Sequence, residues 1–142
     1  MKNSNEIEHS DGPTTGNFER ILELEAMLRF VIPVDLKEYL IKHQSVIFKR
    51  KKFMRIVNKN FSQEMTLEKI LSAEEMLLGM QNLSDDENIK GNNLLYFGET
   101  PGSPVICIGL NNTNYDKVYV LDWDFGLTKI SDSFNDFIDS LY

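Results

Sequence analysis

The residues of this chain that could carry chemistry are few and scattered. Asp122 and Asp124 stand two apart in Val118-Tyr-Val-Leu-Asp-Trp-Asp124, and on a strand that spacing puts both carboxylates on one face. Two such carboxylates could share a divalent cation in a metal-dependent transferase. The tripeptide is common by chance, however. An acidic strand end flanking an exposed or half-buried Trp123 is the simpler reading. If the two carboxylates do matter, the favoured role is contact with a basic partner, with Trp123 and Tyr119 as natural aromatic anchors. His9 and His43 are the only histidines, too few for a zinc cluster, and a Ser-His-Asp arrangement would fall to His43, which has no nucleophile motif beside it. Gly98 and Gly102 stand in no phosphate-loop or dinucleotide pattern. The acids are numerous, but nothing singles out a hydrolytic pair. Cys107, the one cysteine, sits in Val-Ile-Cys-Ile-Gly and reads as a small buried apolar residue, and alone it forms no internal disulfide. The expectation is a protein that is not an enzyme, with no cofactor and no bound metal.

Charge points the same way. The net charge is −7, unevenly spread: residues 1–71 hold twelve Lys and Arg against ten Asp and Glu, residues 72–142 three against twelve. An acidic half repels nucleic acid and steers basic partners toward itself. Lys49-Arg-Lys-Lys52, flanked by Phe48 and Phe53 with Arg55 and Lys59 beyond, is the one nucleic-acid-like feature. The acidic total argues against that use, and cations on an edge strand also block edge-to-edge aggregation.

The elements that must position these residues follow from periodicity. Phe18, Ile21, Leu22, Glu25 and Leu28 predict a helix over Phe18–Phe30, with Asn17 as its N-cap and Pro33 preventing its continuation. A second helix covers Val34–His43, with Leu36, Tyr39 and Leu40 as its buried stripe. Val46–Val57 reads as a strand or hairpin. Ser72-Ala-Glu-Glu75 forms a capping box ahead of Met76, Leu77 and Met80, and that helix ends near a Ser84–Asn88 loop. Short strands follow at Leu94–Gly98, Val105–Leu110, Val118–Trp123 and Leu127–Ile130, separated by turn-rich loops. Ser131 or Asp132 caps a closing helix whose Phe134, Phe137, Ile138 and Leu141 recur at offsets of three, four and seven. The order predicts an α+β domain: an antiparallel sheet of about five to six strands packed by N-terminal helices, a middle helix and a C-terminal helix. Residues 1–16 are polar, lack the apolar core of a secretory signal, and read as a flexible tail before one domain over 17–142. No apolar run is long enough to span a bilayer, and the default location is cytoplasmic.

Over roughly residues 18–142 the chain resembles the SUKH superfamily, and more narrowly its Smi/Knr branch. The resemblance is carried by the first helix, Ile32-Pro33 with Leu36-Lys37 and Tyr39-Leu40 behind it, and Leu94-Leu-Tyr-Phe-Gly98. Its most specific parts are Val118-Tyr-Val-Leu-Asp122 and Ser133–Leu141. The chain departs from the branch at His43-Gln-Ser45 and at Gly98-Glu-Thr-Pro-Gly-Ser-Pro104, so those loops present a different surface. The resemblance implies a six-stranded or similar antiparallel sheet and a role in binding. Bacterial members are commonly immunity proteins that neutralise toxins, many of them nucleases; fungal relatives regulate cell-wall glucan synthesis. The partner expected here is accordingly a protein, of the basic nuclease-toxin type. The expected contacts are Glu99, Tyr115, Asp116, Tyr119, Asp122, Trp123 and Asp124, and the alternative is a glucan-synthesis regulator acting through protein contact.

Overall fold

A computed structural model describes residues 7–10, 15–83 and 85–142, with side chains placed from Asn17 onward. The polar segment expected as a flexible tail lies mostly outside these residues. Within it, Ile7–Ser10 forms strand β1, and the first helix, α1, begins at Thr15 and runs to Leu28.

Ile21 and Leu24 of α1 are fully buried, whereas Phe18 and Leu22 face outward, so the buried stripe is displaced from the expected one. Glu25, the charged interruption in the pattern, has a structural use. Its carboxylate accepts from the Ile32 amide at 2.8 Å and from Lys37 Nζ at 2.8 Å. It thereby ties α1 to helix α2 (Val34–Lys42), which buries Leu36, Tyr39 and Leu40. Arg29, with φ of 62°, supplies the left-handed residue that ends α1. Asn17 is not a cap. It lies inside α1, buried, and donates from Nδ2 to the Leu40 carbonyl at 3.1 Å, satisfying an orphan acceptor at the end of α2.

The Val46–Val57 segment is the first arm of a hairpin. Strand β2 (Val46–Asn58) turns at Lys59-Asn60 into β3 (Phe61–Ile70), and the Asn58 side chain accepts from the Asn60 amide at 2.8 Å. The capping box then starts helix α3 (Ala73–Asn82): Ser72 Oγ accepts from the Glu75 amide at 3.1 Å, and the Glu75 carboxylate from the Ser72 amide at 2.9 Å. Where a plain loop was expected, Asp86 caps a short helix α4 (Glu87–Gly91) that buries Ile89. Strands β4 (Leu94–Glu99), β5 (Val105–Gly109), β6 (Val118–Asp122) and β7 (Gly126–Ser131) complete the sheet. Helix α5 (Phe134–Ser140) is capped by Ser133, not by Ser131 or Asp132.

The fold is α+β, as the order of periodic segments implied. The sheet runs β1-β2-β3-β4-β5-β6-β7 in chain order with every pair antiparallel. Six strands lie from Val46 onward, and β1 adds a seventh. Although β2 and β7 are five places apart in that order, they touch, so the sheet curls. One face is closed by α5: Phe137 meets Phe53 and Phe97 at ring separations of 5.4 and 6.1 Å, and Phe134 meets Tyr39 and Phe97 at 5.6 and 5.7 Å. Edge-to-face pairs of this kind contribute about 0.5–1.5 kcal/mol each beyond the area they bury. On the other face Tyr96 packs over Gly79 of α3, where an added Cβ would meet its ring at 3.1 Å.

Candidate protein-binding surface

Strand β6 carries the expected contact residues at its two ends, and the ends differ in character. At its start, Gly109 and Tyr115 form a parallel bridge, and a Cβ on Gly109 would lie 2.1 Å from the Asn114 carbonyl oxygen. Asn114 is held by donation of its Nδ2 to the Asn92 carbonyl at 2.7 Å. Tyr115 donates its hydroxyl to the Val31 carbonyl at 2.9 Å, pinning this loop to the link between α1 and α2. Asp116, in the left-handed region at φ 69°, accepts from the Phe134 amide at 3.2 Å and so fixes the start of α5. Burial, reinforced by Asp35 and Asp136, raises the pKa of its carboxyl above the ordinary aspartate value. Tyr115 is exposed, but both residues already have structural duties.

The far end of β6 is a latch. Asp122 was expected to present its carboxylate to a partner; instead its side chain is 11% exposed and binds Arg55 of β2, Nη1 to Oδ2 at 2.8 Å. The hydrogen bond from Arg55 holds the Asp122 carboxyl below its ordinary pKa, with the Asp124 amide, donating to Oδ1 at 2.8 Å, as a further cause. Arg55 is itself 1% exposed. Its second Nη donates to Gln63 Oε1 across the hairpin, and its guanidinium lies 5.1 Å from the centroid of Phe125. Phe125 stacks on Phe61 at 5.1 Å with the rings 29° apart. The tip of the β2–β3 hairpin and the β6–β7 turn are therefore clasped together by a buried ion pair and a three-layer stack.

The clasp also leaves apolar surface exposed: Trp123 is 53% exposed and Phe125 50%, with Phe61 exposed beside Phe125, whereas Met54 and Ile56 alternate with Arg55 and are exposed on the opposite face of the hairpin. Asp124 is exposed between Trp123 and Phe125. Glu99, half-buried at the end of β4, shares a cross-strand row with Val105 and Leu121, which places it toward the same end of the sheet. Tyr119, half-buried, lies in the row Tyr96–Cys107–Tyr119–Lys129 on the α3 side. The structure thus groups Trp123 and Asp124 with the hairpin tip and separates them from Tyr115 and Asp116. Sequence reading misses Arg55, Phe61 and Phe125. The only signal available for Phe61 is its position just after an Asn-Lys-Asn turn, and nothing local marks Arg55 as the mate of a residue 67 positions away.

The groups with catalytic potential are used otherwise. His43 lines a cleft of about 420 Å³ between α2 and α5 with no serine, threonine or cysteine among its described lining residues, and its ring lies 4.6 Å from that of Tyr39. Burial lowers the pKa of His43. The Cys107 thiol is fully buried and shifted well upward by desolvation, away from the thiolate a nucleophile needs. Among the described residues no three His, Cys, Asp or Glu are arranged to hold a metal ion, and no helix is long and apolar enough to cross a membrane.

Fold and surface together define a curled antiparallel α+β domain bearing a preorganised aromatic platform at one end of its sheet. The profile of the SMI1 / KNR4 family (SUKH-1) matches residues 17–140, and the chain belongs to that family. No curated protein matches it.

Proposed function

We propose that this chain is a non-catalytic protein-binding domain that acts as an immunity protein, binding a cognate toxin and blocking it. Family membership supports the binding role. The observation that carries the choice of surface is the clasped platform: exposed Trp123 and Phe125 on a turn held rigid by a buried ion pair. Rigid, well-supported aromatic groups are where interface energy concentrates, because little side-chain entropy is lost on binding. Trp123, Phe125 and Tyr119 act as anchors, with Asp124 and Glu99 meeting cations at the rim. Asp122, Asp116 and Tyr115 set the geometry from behind. The acidic C-terminal half steers a basic, nuclease-type toxin toward this end of the molecule. Blocking is steric, by occlusion of the toxin's own basic site, and takes place in the cytoplasm.

Co-expression with the protein encoded by the adjacent gene tests the reading. A stoichiometric complex and restored growth are expected. A neighbour that is a biosynthetic enzyme bound without any effect on toxicity would transfer the role to regulation of cell-wall or glucan synthesis, the alternative that the family resemblance implies. Absence of both complex and protection would overturn the immunity role.

A further inference from the structure

A hollow of about 500 Å³ opens where the end of α1 meets α3, α4 and the start of β4. Its floor is apolar and buried: Met80 of α3, Ile89 of α4, Leu94 of β4 and Leu110 just after β5. Met27 of α1, exposed, and Phe30, half-buried, stand at the mouth. Hydrogen bonds fix the floor from behind. The Tyr96 amide donates to Met80 Sδ at 3.4 Å, the Ile89 amide to Asp86 Oδ1 at 3.1 Å, and the Leu110 amide to the Asn93 carbonyl at 3.0 Å. The size lies within the range of about 300–1,000 Å³ usual for small-molecule sites, which are likewise apolar with a few polar groups. Ile7 and Ser10 lie on β1, three strands from β4, and Thr15 is about 18 Å along α1 from Met27. The chain on either side of β1 thus joins the fold well away from this hollow. Leu83 and Asp85, on either side of Ser84, do not line it.

The polar side chains at the rim are Gln81, Lys90 and Asn93, and no carboxylate is among the described lining residues. Residues 72–142 hold only three lysines. Lys129 is paired with Asp132 at 2.7 Å, and Lys117 reaches the Thr113 carbonyl at 3.5 Å. Lys90 has neither an ion pair nor a side-chain hydrogen bond among the described residues. Asn93 accepts through Oδ1 from Asn111 Nδ2 at 3.0 Å, which leaves its own Nδ2 without an acceptor among the described residues. In the acidic half of the chain, the one unpaired lysine therefore stands at the edge of an apolar hollow, beside an amide with a spare donor. We propose that this hollow binds a free amphiphilic carboxylic acid of the medium-length fatty-acid class. Its chain lies against Met80, Ile89, Leu94 and Leu110, and its carboxylate accepts from Lys90 Nζ and Asn93 Nδ2. Met27 and Met80, unbranched and adaptable, suit a chain of no fixed shape. A plain hydrocarbon would leave both donors unused, and a cationic amphiphile would meet Lys90 with like charge. The space holds about one turn of helix, too little for a docked helix whose anchors span two turns.

Calorimetric titration of the full chain tests this, with decanoate, decanol and decylamine as probes below the concentrations at which they form micelles or separate. Decanoate is expected to bind one to one and to raise the melting temperature. Lys90→Gln is expected to weaken decanoate about tenfold and to leave the weaker binding of decanol unchanged. Met27→Trp, at an exposed position, narrows the mouth. It is expected to keep the urea midpoint of unfolding and to lose about tenfold or more in decanoate affinity. Trp123→Ala is expected to bind decanoate as the wild type does, so this site stands or falls apart from the aromatic platform. Failure of decanoate to bind, binding of decanol or decylamine as tight as that of decanoate, or wild-type decanoate affinity in either Lys90→Gln or Met27→Trp would each overturn the proposal.

Discussion

Replacing Asp122 by asparagine is a sharp test of the latch, because the change keeps shape and removes only charge. The introduced amide could still accept from the Asp124 backbone N–H, as the Asp122 Oδ1 does at 2.8 Å. What is lost is the counter-ion of an arginine that is 1% exposed, whose Nε is already buried without a partner. The guanidinium would retain only Gln63 and the face of Phe125. Breaking one side of a buried pair costs about 3–5 kcal/mol, and the lower end applies here because Asp122 sits at the rim. For a domain of this size that is a fall in melting temperature of about 10 °C. Arg55→Met should cost less, about 1–2 kcal/mol, since the carboxylate it strands keeps a backbone donor and some contact with water. The double variant Arg55→Met/Asp122→Asn should be no worse than Asp122→Asn alone, giving a strong coupling energy. Urea unfolding of the four proteins measures all three quantities. The pH profile supplies a second readout. The folded-state pKa of Asp122 lies below its unfolded value near 3.9, so its stabilisation is fully present above that value. The stabilisation is lost as pH falls through the folded pKa, and Asp122→Asn should remove this part of the acid limb. An Asp122→Asn cost below about 1 kcal/mol, or strict additivity in the double variant, would refute the latch.

Other parts of the frame give further expectations. Gly109→Ala forces a Cβ against the Asn114 carbonyl and should destabilise by about 3 kcal/mol or more, seen as a lowered urea midpoint with a displaced Tyr115 loop. Asn17→Ala removes the donor at 3.1 Å from the Leu40 carbonyl and should cost about 1–2 kcal/mol by the same measurement. Asp116→Asn keeps an acceptor for the Phe134 amide and a residue type that tolerates φ near 69°. Because the folded-state pKa of Asp116 is raised, its ionisation disfavours the native state at neutral pH. The asparagine variant should therefore melt higher at pH 7, and the gain should vanish as pH falls below about 4.

How much of this was legible from residue order differs by element, for physical reasons. Signals carried within one turn of helix or one strand read correctly. The Ser72–Glu75 capping box is observed in full, the Phe134/Phe137/Ile138 stripe is buried, and the strands from Leu94 to Asp122 fall within a residue or so of expectation. Features decided by distant partners did not read. Glu25 looked like a flaw in an apolar stripe until Ile32 and Lys37 closed on it. Asn17 has the residue type of an N-cap, yet its partner is the end of the next helix. Strand β3 has exposed residues for its first four positions, so its alternation emerges only at Met65 and Leu67. At the candidate site, Trp123 and Asp124 could be singled out by type. Asp122 could not be recognised as structural, because Arg55 is hidden in a run of cations and the two meet only when the sheet curls.

The central claim is that this chain binds its partner through the platform that Arg55 and Asp122 clasp. It is tested most directly by titrating the adjacent-gene partner against the wild-type chain, Trp123→Ala and Phe18→Ala. Trp123 and Phe18 are equally exposed at 53%, one on the β6–β7 turn and the other on α1, so general loss of apolar surface is controlled. The account predicts that Trp123→Ala weakens the complex about 30-fold or more while Phe18→Ala changes it less than about threefold. Unchanged affinity in Trp123→Ala, or a larger loss in Phe18→Ala, would contradict it.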